Sequence, residues 1–157
     1  MEHIMQWIRK IPYLIIFLTL LGCTTMKIEN FAETKPEFNL MQFFEGEVKA
    51  WGIIEDRFGN LRRQFTVDMK GTVENGVLTL EEDFIYADGE KDKRIWKFSK
   101  LDSNSYKGLA NDIVGEAIAK EQGNAFNMKY KMDLDLGFAE LRVSFNAVSY
   151  THLRAHE

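Results

Sequence analysis

The chain is short of the residues that most often do chemistry. It has one cysteine and three histidines among 157 residues. Cys23 has no second cysteine to pair with, so no internal disulfide framework supports the fold. His3, His152 and His156 lie near the two ends, and residues 24–146 contain neither histidine nor cysteine. Ser-His and Cys-His nucleophile pairs are therefore excluded from that stretch. So is a zinc site with His or Cys ligands. Proline is equally scarce: Pro12 and Pro36 are the only two, so nothing after residue 40 breaks a strand ladder in that way. An excess of positive charge is missing too. The formal net charge is −4, and the balance stays acidic when Arg9, Lys10, Arg154, Glu2 and Glu157 are set aside. That argues against nucleic acid, which needs a basic footprint, and against adhesion to an anionic membrane through a polybasic patch.

What is present at the ends is informative. Arg9 and Lys10 form a basic region ahead of an apolar run over residues 11–21, too short to span a bilayer as a mature helix. It closes on Leu20-Leu21-Gly22-Cys23, the pattern of a bacterial lipoprotein signal. The thiol of Cys23 receives the diacylglyceryl group, and the small Gly22 permits cleavage before it. Several acyl chains on one residue exceed what stable anchoring requires. Thr24, where an aspartate would favour inner-membrane retention, points to delivery to the inner leaflet of the outer membrane, facing the periplasm. Residues 23–39 are expected to act as lipidated cysteine and tether, with a reach of up to about 50 Å. At the other end, residues 149–157 read S-Y-T-H-L-R-A-H-E, the translation of the transposase adapter TCT TAT ACA CAT CTC CGA GCC CAC GAG. The native sequence is therefore expected to end, within this chain, at Asn146, with 147–157 an adapter artefact and further strands lost.

Between the ends the apolar period is two. Phe126, Met128, Tyr130, Met132, Leu134 and Leu136 alternate with Asn127, Lys129, Lys131, Asp133 and Asp135. Leu78, Leu80, Glu82 and Phe84 alternate with Thr79, Glu81 and Asp83. Asn75-Gly76 and Asp88-Gly89 are hairpin signals, because these residues tolerate positive φ. The pattern predicts strands over 47–54, 61–71, 77–85, 93–100, 105–110, 116–122, 125–136 and 138–145, with a helical turn over 40–44 plugging one end. The expected fold is all-β: an antiparallel meander forming a lipocalin-like β-barrel over 40–146, incomplete at its C-terminus.

The blocks MQFFEGEVKAWGIIEDRFGNLRRQF, LEEDFIYADGEKDKRIW and YKGLANDIVGEAIAKEQGNAFNMKY resemble the bacterial lipoprotein family called domain of unknown function 3833. The resemblance runs from about residue 40 to 145, in order and without large gaps. It implies a lean toward lipid, since members are often encoded beside genes for membrane fatty-acid modification. It carries over no catalytic residue, because the family defines none.

Trp51, Tyr86, Trp96 and Tyr106 are the aromatic candidates for lining a ligand cavity, with ordinary packing as the competing reading. Asp56, Arg57, Asp88, Arg94 and Asp112 are candidates for a polar mouth; turn chemistry and exposed ion pairs compete. The loop around Asp112 interrupts the alternation and reads as a lid, or as a bulge and turn. No metal or cofactor is implied. The leading expectation is a non-enzymatic, membrane-anchored periplasmic module that binds an apolar ligand such as a fatty acid. The alternatives are a structural lipoprotein supporting an envelope complex and, further off, a lipid-modifying enzyme.

Overall fold

The computed structural model describes residues 27–135 and 139–150. Eight strands follow one another in a single sheet: β1 (Gly46–Glu55), β2 (Leu61–Glu74), β3 (Val77–Tyr86), β4 (Lys91–Lys100), β5 (Ser105–Leu109), β6 (Ala117–Gln122), β7 (Ala125–Asp135) and β8 (Glu140–Tyr150). Every neighbouring pair is antiparallel and the spatial order equals the chain order. The meander curls into a half-barrel, with β1 and β8 as its two borders.

The turn residues fix the register. Asn75 and Gly76 both take positive φ, 52° and 77°, which matches the twist of a two-residue hairpin. β2 runs three residues past its expected end at Gly71 because pairing continues through Gly71↔Leu80 to Glu74↔Val77. Gly71 is no breaker. It makes room for the helix α1 (Leu40–Phe44), since a methyl group there would collide with the Phe44 carbonyl. The helix sits where the plug was expected, capped by the Asn39 side chain, which accepts from the Gln42 amide at 3.0 Å. β8 extends through residues 147–150, assigned above to the adapter, which pair with 125–128. The remainder of that tail, like the leader and Cys23, lies outside the described residues.

Hairpins alternate between the two ends of the half-barrel, and the ends differ. At the plugged end, β2–β3, β4–β5 and β6–β7 turn beneath α1, and the core gathers there: Leu40, Phe44, Leu78, Leu80, Trp96, Phe98, Tyr106 and Phe126 are all buried. Phe38 stacks on Phe126 at 5.6 Å, and Phe98 meets Phe126 edge-on at 6.4 Å. Glu121 ties the plug down. One of its carboxylate oxygens accepts from the Leu40 amide at 2.9 Å, the other from the Tyr106 hydroxyl at 3.0 Å. The chain leading into α1 is also fixed. A 3-10 turn (Ile28–Phe31) precedes it, the Asn124 amide donates to Thr34 Oγ1 at 3.0 Å, and the Phe38 amide donates to the Gly123 carbonyl at 2.6 Å. Residues 28–39, expected to form most of a free tether, lie instead against the β6–β7 hairpin. At the open end, β1–β2, β3–β4 and the long β5–β6 connection turn, and β7 ends and β8 begins.

Candidate functional site

The inner face changes character from one end to the other. Along β3, Leu78 is 0% and Leu80 2% exposed, whereas Glu82, Phe84 and Tyr86, farther along the same face, are only partly buried. β2 repeats this with Met69 and Val67 buried and Phe65 and Arg63 partly so. β4 does the same, from buried Phe98 and Trp96 to Arg94. The plug covers one half of the face. The other half is an accessible wall rich in aromatic side chains.

Phe65, Phe84 and Tyr86 pack edge-on and stacked at 5.4–6.1 Å between centroids. The Phe65 ring has room because Gly52 lies opposite on β1; any Cβ there would run into it. Arg63 lies over the Tyr86 ring at 3.5 Å and pairs with Asp88 and Glu90 at 2.7 and 2.8 Å. Deeper on the face stands Arg94, whose side chain is 11% exposed. Its centre lies 5.8 Å from the Phe84 ring, 5.7 Å from Trp96 and 5.8 Å from Tyr130. Its Nε and Nη2 both reach Asp112 Oδ2 at 2.7 Å, and Nη2 also lies 3.4 Å from Met132 Sδ.

Asp112 gets there because β5 and β6 are short. They leave a gap between the longer β4 and β7, and the connection between them fills it. Val114 in that loop donates its amide to the Lys131 carbonyl of β7 at 2.8 Å, while Asp112 reaches across to β4. A shallow open hollow of about 470 Å³ lies alongside, lined in part by Val114, Tyr130 and Phe145.

Glu82 completes the cluster. It lies opposite Arg94 in the β3–β4 ladder and accepts from Trp96 Nε1 at 3.1 Å. Burial pushes its carboxyl up to about 7, against the pull of the Arg94 charge and the Trp96 hydrogen bond; Asp112 adds to the upward push. The site thus holds a fixed cation, a loop carboxylate bound to it, and a carboxyl that titrates near neutrality. Among the described residues, no group of three or more His, Cys, Asp or Glu is arranged to hold a metal ion.

The sequence-derived candidates fall into three places. Arg94, Asp112 and Trp96 come together on the inner face, Trp96 at the border of the plugged core, while Tyr86 lies farther toward the open end against Phe84 and Arg63. Tyr106 lies on the same face but at the plugged end, fully buried, where burial and then its bond to Glu121 raise its hydroxyl pKa. Trp51 points the other way: it is 72% exposed on the outer face, opposite Thr66, and lines nothing inside. Asp56, Arg57 and Asp88 occupy the hairpins at the open end. Asp56 accepts from the Phe58 and Asn60 amides at 2.8 and 3.1 Å and from Arg62, and the Asn60 side chain leads in holding its carboxyl well below the usual range. Arg57 lies over the Phe58 ring at 4.7 Å. Asp88 accepts from the Glu90 amide at 3.0 Å, which leads in lowering its pKa. These three shape turns at the mouth rather than the inner wall.

Sequence alone reads Glu82, within Glu81-Glu82-Asp83, as part of a solvated carboxylate run, and does not select Tyr130. The signal for Glu82 was its parity: it shares the face of Leu78, Leu80 and Phe84, a lone carboxyl in an apolar row. Tyr130 sits in an apolar row as well, and nothing in that row separates it from ordinary core.

An open, plugged antiparallel half-barrel with an arginine on its aromatic inner wall is the class of domain this chain forms. The chain belongs to the family described as protein of unknown function (DUF3833), whose model matches residues 17–153. No curated protein and no solved structure matches it.

Proposed function

We propose that this protein is a non-enzymatic binding module of the bacterial cell envelope, anchored through acyl chains on Cys23, that holds an apolar or amphipathic ligand on its inner face. The observation that carries the reading is the burial gradient along that face. The half under α1 is filled by the protein's own side chains, while Phe65, Phe84, Tyr86 and Tyr130 stay partly accessible although they point inward. Apolar walls with a few placed polar groups are the usual make-up of small-molecule sites. The sequence Leu20-Leu21-Gly22-Cys23 supports the anchor.

Native mass spectrometry of the mature chain from envelope extracts tests the ligand. An adduct of acyl-chain mass is expected, removable with detergent. Absence of any adduct, together with no change in tryptophan fluorescence on adding fatty acid, would sink this reading. Labelling of cells with radioactive palmitate tests the anchor: Cys23→Ser is expected to abolish the label and release the protein from the membrane fraction.

A second reading has its own support. Among the described residues β1 and β8 are the border strands of the sheet, and Trp51 and Ile53 stand exposed on the outer face of β1. That favours a structural lipoprotein that contacts an envelope protein at the β1 border. A photocrosslinker at position 53 would give a discrete crosslinked band if so, and none if the border is merely solvated.

A further inference from the structure

We propose that Arg94 anchors the head of the ligand, that the ligand is an apolar chain ending in a single carboxylate, and that the carboxylate enters by taking the place of Asp112. The proposal rests on the binding-module reading above and sharpens it to one chemical class.

A guanidinium this far from water needs an anionic partner, and an unpaired one would carry a large desolvation cost. Asp112 supplies that partner in the structure, through one oxygen only. Arg94 is fixed to β4, in the centre of the ladder. Asp112 belongs to a loop, is 38% exposed, and reaches Arg94 from across the gap left by β5 and β6. The loop is held by the Val114–Lys131 hydrogen bond and by the packing of Ile113 against the core. Of the two partners, the carboxylate is the one built to move.

The exchange is carboxylate for carboxylate. The charge on the face is unchanged, and the guanidinium is never left bare. The chain behind the head group then has the rings of Phe84, Tyr86 and Phe65 to lie against, toward the open end. The neighbour that selects against more highly charged heads is Glu82, opposite Arg94 on β3. A phosphate monoester would place a second negative charge beside that carboxyl, with no uncommitted cation next to it among the described residues to balance it. Arg63, the next cation along the face, is already engaged by Asp88 and Glu90. A neutral ester would strand Arg94 with Asp112 expelled, or leave Asp112 in place and forgo the anchor. Bidentate recognition of a carboxylate is also what an arginine does better than a lysine.

Oleate, methyl oleate and oleyl phosphate, which share one chain length and differ in the head, titrated against the whole mature chain and followed by tryptophan fluorescence, separate the outcomes. Oleate is expected to bind about tenfold or more tightly than either of the others. Arg94→Gln is expected to erase that preference while leaving methyl oleate binding in place. Asp112→Asn is expected to tighten oleate binding, because the internal competitor is gone; a merely structural pair would weaken it. Should Arg94→Gln fail to fold, the Asp112→Asn result alone decides. Equal binding of oleate and methyl oleate by the native chain, or weaker oleate binding by Asp112→Asn, would overturn the anchor and leave the binding module standing. Failure of all three compounds to bind would remove both.

Discussion

At the scale of single residues, two carboxyls on the inner face have opposite fates. Glu121 is fully engaged, by the Leu40 amide and the Tyr106 hydroxyl. Glu121→Ala would strand both donors in the core, so we expect a loss of about 2–4 kcal/mol in urea unfolding. Tyr106→Phe, which removes one donor and spares the other, is expected to cost about 1 kcal/mol. Glu82 is less well placed. Its carboxyl titrates at about 7 in the folded protein against an ordinary 4.5, so between those values the folded state holds a proton that the unfolded chain has released. Stability therefore falls as pH rises from 4.5 to 7 and stays at the lower level above. Glu82→Gln keeps an acceptor for Trp96 Nε1 and removes the titration. The variant is expected to be more stable than the native chain by about 2–3 kcal/mol at pH 8, with the difference vanishing at pH 4.5. Denaturant unfolding at the two pH values checks it; a difference independent of pH would mean that burial does not govern this carboxyl. Sequence alone exposes the parity of Glu82 but not its consequence, because both its burial and the opposing pull of Arg94 and Trp96 depend on strands that meet only in the fold. Arg94 and Asp112 were legible as separate polar residues. Their pairing was not, since 18 positions separate them.

At the scale of elements, the strands were readable almost entirely, because a half-buried sheet writes its period into the chain. Seven lie within three residues of expectation and α1 lies at 40–44, whereas β8 runs five residues past its expected end at 145, into the segment read as adapter. The misreadings came where backbone, not side chain, decides. Gly71 reads as a strand end but is a paired residue on which the Phe44 carbonyl rests. Gly71→Ala is expected to push α1 off the sheet and lower stability by about 1–3 kcal/mol, with Trp96 fluorescence shifting red as the plug loosens. Gly76, also in the β2–β3 region, has open space around it and a positive φ of 77°. Gly76→Ala therefore costs only backbone strain, about 1–2 kcal/mol, and is expected to leave fluorescence unchanged. Comparing the two by thermal melts and emission spectra separates steric displacement from strain. The segment before α1 was misread for a related reason. Mixed charge and Pro36 suggest an unattached tether, but Thr34 and the Phe38 backbone find partners on a hairpin some 90 positions away.

At the scale of the whole molecule, the half-barrel is bounded rather than closed. The sequence predicts a barrel left incomplete at its C-terminal side, and the described strands form a curled half-barrel in the order β1 to β8; the alternation itself is the same in a closed barrel and an open one, so it cannot carry that distinction alone. Native-state hydrogen exchange gives the expected signature: amides of β1 directed away from β2 should exchange orders of magnitude faster than those in the β2–β3 ladder. Equal protection across β1 would show that its free side is covered in solution. The fixed N-terminal segment has a separate consequence, for how the molecule stands. The chain reaches the domain at the β6–β7 hairpin, and only three residues lie between Lys27 and Cys23, a span of at most about 14 Å. If Cys23 carries the proposed acyl chains, the domain would be moored close, with its plugged end nearest the bilayer and its aromatic bowl turned away from it. A ligand of that bowl would then have to arrive from the side away from the lipid.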